Sequence, residues 1–190
     1  MKKRIFIING FGGVGKDTFV DMVKNSVNKI SPKYNKDNLI ISPIYKVWNY
    51  SSIDKVKDIA TQIGWNGGKT EKDRKFLSDL KVLTTEYNDM PFEDLKRMVT
   101  LFNKDKQAVF MFLHIREPKE IERAKNEFNA HTILITRDSV PQITSNIADG
   151  SVFDYHYDTI IKNNDTKEML QGMADLFVRD WLLDEEKCDE

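Results

Sequence analysis

Residues Gly10–Thr18, GFGGVGKDT, decide how this chain is read, because they satisfy two phosphate-binding patterns at once. Gly10, Gly12 and Gly15 fit G-x-G-x-x-G, the turn of a dinucleotide-binding unit, while Gly10, Gly15 and Lys16 fit G-x-x-x-x-G-K, the P-loop. Either motif needs a strand before it and a helix after it. Ile5–Ile8 is a short apolar run ending in Asn-Gly and reads as a buried strand. Beyond the loop, Phe19, Val20, Val23, Val27 and Ile30 share one helical face, and Ser31-Pro32 stops the helix.

Further along, NLIIS (38–42) reads as the second strand. From Ile44 to about Asn103 the pattern is helical in pieces. Ser52 is placed to cap a helix over Ile53–Ile63, which Gly64, Gly67 and Gly68 break. Thr70-Glu-Lys-Asp73 is a capping box, opening a helix with Phe76, Leu77, Leu80, Leu83 and Tyr87 inward. Pro91 starts another, with Phe92, Leu95, Met98, Val99 and Phe102 inward. AVFMFLHI (108–115), HTILIT (131–136) and YDTIIK (157–162) are buried strands, with a helix from Pro118 to about Phe128 between the first two. A last helix, from about Thr166 to Leu183, carries Met169, Leu170, Met173, Leu176, Phe177 and Trp181 as its stripe.

Five buried strands alternating with helices predict an α/β domain of three layers, a parallel sheet with helices on both faces. Ligands of such sheets bind at the carboxyl ends of the strands. The 190 residues suit one domain, with a mostly helical insertion at about 44–103 and a short lid at about 138–157. Lys plus Arg total 29 against 30 Asp plus Glu, which gives no sign of a nucleic-acid surface. One cysteine, Cys188, rules out an internal disulfide framework and suits a reducing cytoplasm. The basic opening MKKRIFIING has too short an apolar run for export or a membrane span.

The dinucleotide motif expects an acidic residue at the end of the second strand to hold ribose hydroxyls. LIISP has none; the nearest acid, Asp37, precedes the strand. The P-loop needs backbone N–H groups curled around a phosphate and an ammonium that reaches its outer oxygens. Lys16 follows Gly15 as required, so the P-loop reading is preferred, with Gly10, Gly12, Gly13, Val14, Gly15, Lys16, Asp17 and Thr18 as nucleotide-binding residues. Asp17 stands where the hydroxyl that ligates Mg²⁺ normally sits. Its carboxylate either meets the ion, directly or through water, or accepts N–H bonds at the helix start, and Thr18 supplies a hydroxyl one residue late.

GKDT within a P-loop resembles the deoxynucleoside monophosphate kinases of bacteriophage type and, more distantly, the animal-type phosphomevalonate kinases. That resemblance implies a strand order of 2-3-1-4-5, ATP and Mg²⁺ as cofactors, and a small phosphorylated acceptor, a nucleoside or deoxynucleoside monophosphate. RKFLSDLK (74–81) is similar to the helix whose arginine grips the acceptor phosphate in that group, which makes Arg74 a candidate. Residues 112–137 resemble the third strand, following helix and fourth strand, and DTIIKNND (158–165) is similar to the last strand and turn. The group tends to read Asp-x-Arg where this chain has His114-Ile115-Arg116, so Asp17 or Glu117 covers the missing charge or catalysis is weak.

Lys16, Arg116 and Arg137 are the catalytic candidates, Arg74 and Arg116 the acceptor-binding ones, and Asp17 and Thr18 the metal ligands. Arg116 and Arg137 each follow a buried strand at the expected ligand edge, although Arg116 could instead pair with Glu120 at a helix start. His114 reads as a packed strand-end side chain rather than a base, and Trp65 and Tyr87 as core residues rather than base-stacking ones. Two other classes compete: a nucleotide-binding regulatory protein without useful turnover, and a dinucleotide-binding oxidoreductase. Within the kinase class, dephospho-coenzyme A and phosphomevalonate are alternative acceptors.

Overall fold

Apolar runs that do not alternate fold as strands covered on both faces, and Ile5–Ile8 and Ala108–Leu113 are buried throughout. The computed structural model describes residues 3–30, 32–34, 40–43, 45–141 and 151–183. Residues 142–150 of the expected lid and Cys188 lie outside the described residues. In chain order the elements are β1 (Arg4–Asn9), α1 (Lys16–Ile30), β2 (Pro32–Tyr34), β3 (Ile40–Pro43), β4 (Lys46–Ser51), α2 (Asp54–Gln62), α3 (Glu71–Asn88), α4 (Met90–Lys104), β5 (Ala108–His114), α5 (Pro118–Phe128), β6 (His131–Thr136), β7 (Thr159–Lys162) and α6 (Lys167–Val178). A π-helical turn, Arg179–Leu183, follows α6. The chain divides into two compact units, Met1–Asn49 with Asp105–Glu190, and Tyr50–Lys104.

The sheet of the first unit runs β4-β5-β1-β6-β7, which in chain order of its five strands is the expected 2-3-1-4-5 of a parallel three-layer α/β fold. β1 sits at the centre, with Phe6 opposite Phe112 on one side and His131 on the other. Phe6 is fully buried, and its ring meets Phe112 at 5.2 Å, Phe110 at 5.4 Å, Phe177 at 4.8 Å and Trp181 at 5.2 Å. These rings fasten α6 to the sheet. Phe19 meets Phe177 at 5.6 Å and brings α1 against α6.

The second sheet strand is not where the apolar pattern puts it. Ile40–Pro43, within the expected strand 38–42, pairs antiparallel with Pro32–Tyr34 as a separate two-stranded ribbon. Asn38 and Leu39 lie outside the described residues. The sheet strand is β4, KVWNYS, from the stretch read as helical. It is an edge strand with Lys46 and Asn49 exposed, so it needs no apolar run. Its place comes from pairing, including Lys46 N–H to the Gln107 carbonyl at 2.7 Å. The order also separates the two motifs: a dinucleotide-binding sheet sets its second strand beside the first, whereas here β5 separates β4 from β1.

In the helical unit α3 opens with the expected capping box, Thr70 and Asp73 satisfying each other's backbone N–H groups. Ser52 does not cap α2; Asp54 Oδ2 accepts from Ser51 N–H at 2.8 Å, and the N-cap residue is Ile53. Several inward assignments fail. Ile30, Leu83, Tyr87, Met169 and Leu176 are exposed, Tyr87 by 85%. The buried face of α6 is Leu170, Ala174, Phe177 and Val178. No helix among the described residues is long and apolar enough to cross a membrane.

Candidate phosphate-binding site

The loop between β1 and α1 leaves the central strand of the sheet and closes on a helix N-terminus. Its first intrahelical bond runs from Phe19 N–H to the Gly15 carbonyl at 2.9 Å. Two glycines are demanded by geometry. Gly10 has φ +142°, and a Cβ there would lie 2.3 Å from the Ile135 carbonyl oxygen; Gly15 has φ +100°, and a Cβ there would lie 2.5 Å from Asn163 Nδ2. Lys16 Nζ donates to the Gly10 carbonyl at 2.5 Å and the Phe11 carbonyl at 2.9 Å, so the ammonium folds back across the loop.

Two buried asparagines brace this loop. Asn163, at the end of β7, donates from Nδ2 to the Val14 carbonyl at 2.8 Å, and its own N–H bonds the Thr136 carbonyl at 2.8 Å. Asn9, the last residue of β1, accepts from Gly10 N–H at 2.8 Å and donates to the Arg116 carbonyl and the Tyr157 hydroxyl. Phe11 packs edge-on against Phe153 at 5.4 Å, and Val140 stands 4.0 Å from where a Cβ on Gly13 would be.

Solved structures of similar architecture include a candidate kinase from Chloroflexus aurantiacus, at TM-score 0.52 and 13% identity over 96% of this chain and 100% of that one. The chain has a P-loop kinase-like fold. A shikimate kinase from Aquifex aeolicus aligns at TM-score 0.47 and 15% identity, over 92% and 96% of the two chains. An APS kinase from Mycobacterium tuberculosis aligns at TM-score 0.39 and 11% identity, over 93% and 97%. No protein-family profile matches the sequence, and no curated protein does.

At the carboxyl edge of the P-loop sheet the first unit gathers most of the sequence-derived candidates. Arg116 follows β5 and Arg137 follows β6, both exposed. Asp17 and Thr18 lie exposed in the first turn of α1, where a carboxylate faces the positive end of the helix dipole. His114 is packed at the end of β5, as expected of a strand-end side chain, with 15% of it exposed. Its Nε2 is 2.7 Å from Asn49 Oδ1 and 3.7 Å from Asp17 Oδ1. Asp17, on α1, thus sets a carboxylate beside the His114 ring. Glu117 is half-buried at the N-cap position of α5 and makes no capping bond.

Arg74 lies in the helical unit, exposed in the first turn of α3, its N–H bonded to the Thr70 carbonyl at 3.0 Å. Trp65 is half-buried there, and Tyr87 projects from α3 rather than packing. In the first unit, a groove of about 350 Å³ along α1 and β4, lined by Lys24, Asn28, Tyr45, Trp48 and Asn49 among others, includes no residue of the P-loop. Sequence reasoning missed Asn9, Asn49, Asn163 and Tyr157. The only signal for the first was a polar residue ending an apolar strand.

Proposed function

We propose that this protein is an ATP-dependent phosphotransferase that moves the γ-phosphoryl group of ATP to a small phosphorylated acceptor, a nucleoside or deoxynucleoside monophosphate. The observation that carries the reading is the loop itself: Gly10 and Gly15 in conformations and spaces that admit no Cβ, and Lys16 folded back across it, directly after the central strand of the sheet. Residues 10–18 would wrap the nucleotide phosphates with backbone N–H groups. Lys16 would leave its two carbonyl partners to neutralise charge on the β- and γ-phosphates. Phosphoryl transfer asks mainly for positioning and electrostatic stabilisation. Arg116 and Arg137 would meet the transferring group, and Arg116 the acceptor phosphate, where a guanidinium fork matches two oxygens.

Asp17 and Thr18 offer the hard oxygen ligands that Mg²⁺ prefers, and the ion would neutralise β- and γ-phosphate oxygens when bound. The proximity of Asp17 to His114 supports Asp17 as the replacement for the aspartate of similar kinases. The acceptor assignment rests on the resemblance of GKDT and of residues 74–81 to monophosphate kinases.

The deciding experiment is ADP release from Mg-ATP with a panel of ribo- and deoxyribonucleoside monophosphates, dephospho-coenzyme A and phosphomevalonate, beside Lys16→Ala. One acceptor that stimulates release in the parent protein alone establishes the activity and names the substrate. Lys16-dependent ATP binding with no stimulated release by any acceptor favours the regulatory reading, for which histidine at position 114 is the specific support.

A further inference from the structure

Asn9 is 1% exposed and ends a strand whose residues Ile5 to Ile8 are all apolar. Core packing does not call for an amide there. Three of the four hydrogen-bonding positions of its amide are used. Oδ1 accepts from Gly10 N–H at 2.8 Å, and Nδ2 gives one proton to the Tyr157 hydroxyl at 2.7 Å and the other to the Arg116 carbonyl at 3.2 Å. Turning the amide over would set its NH₂ against Gly10 N–H, so its orientation is determined. Tyr157 is itself buried, and its proton goes to the Val152 carbonyl at 2.9 Å. Burial pushes its ionisation up to about 12, so the hydroxyl keeps that proton at any working pH.

One planar amide therefore holds two backbones that are 106 residues apart, the start of the phosphate loop at Gly10 and the strand end at Arg116. The guanidinium of Arg116 is exposed, but the backbone that carries it is tied to the loop at a fixed spacing. We propose that Asn9 is a positioning residue that sets Arg116 against the phosphate loop, so that a phosphate beyond the loop's own is met at the right distance, with Tyr157 as its support. This deepens the phosphotransferase reading and rests on it. A substitution that keeps the bond from Gly10 but loses the donors to Arg116 and Tyr157 should leave loop binding in place while slackening the arginine. Asn9→Asp does this, because a carboxylate accepts but cannot donate.

The test is calorimetric binding of Mg-ATP and of adenosine 5′-tetraphosphate, which extends one phosphate past the γ position, with unfolding temperatures for every variant. If Arg116 meets that extra phosphate, the parent protein binds the tetraphosphate about tenfold or more tightly than ATP, the scale of one charge-assisted hydrogen bond. Arg116→Ala and Asn9→Asp should each bring the two ligands to within about threefold of one another, on the same scale. The double variant should lose no more than either single one. Tyr157→Phe keeps the ring, removes only the hydroxyl, and should lose part of the preference; it decides the matter if Asn9→Asp does not fold. No tetraphosphate preference in the parent, a preference kept by the folded variants, or additive losses in the double variant each overturn the proposal. Silence in the ADP-release assay would overturn the phosphotransferase reading and leave this binding comparison to judge Asn9 by itself.

Discussion

Gly15 and Asn163, far apart in sequence, are in contact in the fold: a Cβ on Gly15 would fall 2.5 Å from Asn163 Nδ2, which itself bonds the Val14 carbonyl. The tightness of the loop is thus set by a side chain from the end of the last sheet strand. Gly15→Ala, at φ +100°, and Gly10→Ala, against a backbone oxygen at 2.3 Å, should both lower the unfolding temperature by several degrees. A Cβ on Gly12 meets nothing within 4 Å, and Gly12→Ala should stay within about 0.5 kcal/mol of the parent in urea unfolding. Equal effects at positions 10 and 12 would contradict this account.

Asn163→Ala removes a buried donor and leaves the Val14 carbonyl without it. The expected loss is about 1–3 kcal/mol of stability. Weaker Mg-ATP binding should accompany it, because the loop backbone is no longer braced. Denaturant unfolding and calorimetry on the same samples check both halves.

Lys16→Met should separate folding from function. The ammonium bonds the Gly10 and Phe11 carbonyls of its own loop, and methionine keeps the unbranched stem, so the fold should change little. Acceptor-stimulated ADP release should fall by about 100-fold or more, the usual loss on removing a charge-stabilising group from a transition state. Retention of more than a tenth of the rate would argue against Lys16 as the charge-neutralising group.

Acid should loosen the α1–α6 contact. Asp175 accepts from Ser26 Oγ and from Gln171 Nε2, the latter at 2.9 Å. The Ser26 bond chiefly holds its carboxyl below the usual aspartate range. A lowered folded-state pKa contributes stability that is complete above the unfolded value of about 4 and is lost as pH falls through the folded one. Urea midpoints measured from pH 6 to pH 2 should therefore fall more steeply in the parent than in Asp175→Asn. Parallel curves would count against the Ser26–Asp175 contact.

The helical unit has its own polar anchor. Tyr50 Oη donates to Asp94 Oδ2 at 2.5 Å, and Arg97 bonds the other oxygen through Nε at 3.0 Å and Nη2 at 2.8 Å. Asp94 is only 7% exposed, and burial with this bond raises the Tyr50 ionisation well above its ordinary range. Tyr50→Phe should cost about 1.5–3 kcal/mol, the scale of a hydrogen bond to a charged group, and Asp94→Ala more than that. Thermal unfolding of the two variants gives the order.

The chain itself determined whatever depends on neighbours a few residues apart. The continuous apolar runs at 5–8, 108–113 and 131–136, the glycines and lysine of 10–16, and the Thr70–Asp73 capping box are local signals, and each element stands where its pattern puts it. Only tertiary structure decided which segment became the second sheet strand. IISP is apolar and pairs outside the sheet, whereas the more polar KVWNYS takes the edge beside β5, since an edge strand is chosen by its pairing partner. The same holds for the exposed members of the helical stripes, where periodicity names a face but not which of its residues are covered. The site divides in this way too. Lys16, Asp17, Arg116 and Arg137 could be picked out by their places after a strand or in a loop. Asn9, Tyr157 and Asn163 could not, because their roles are hydrogen bonds spanning 148 or 149 residues, between groups that only the closed fold brings together.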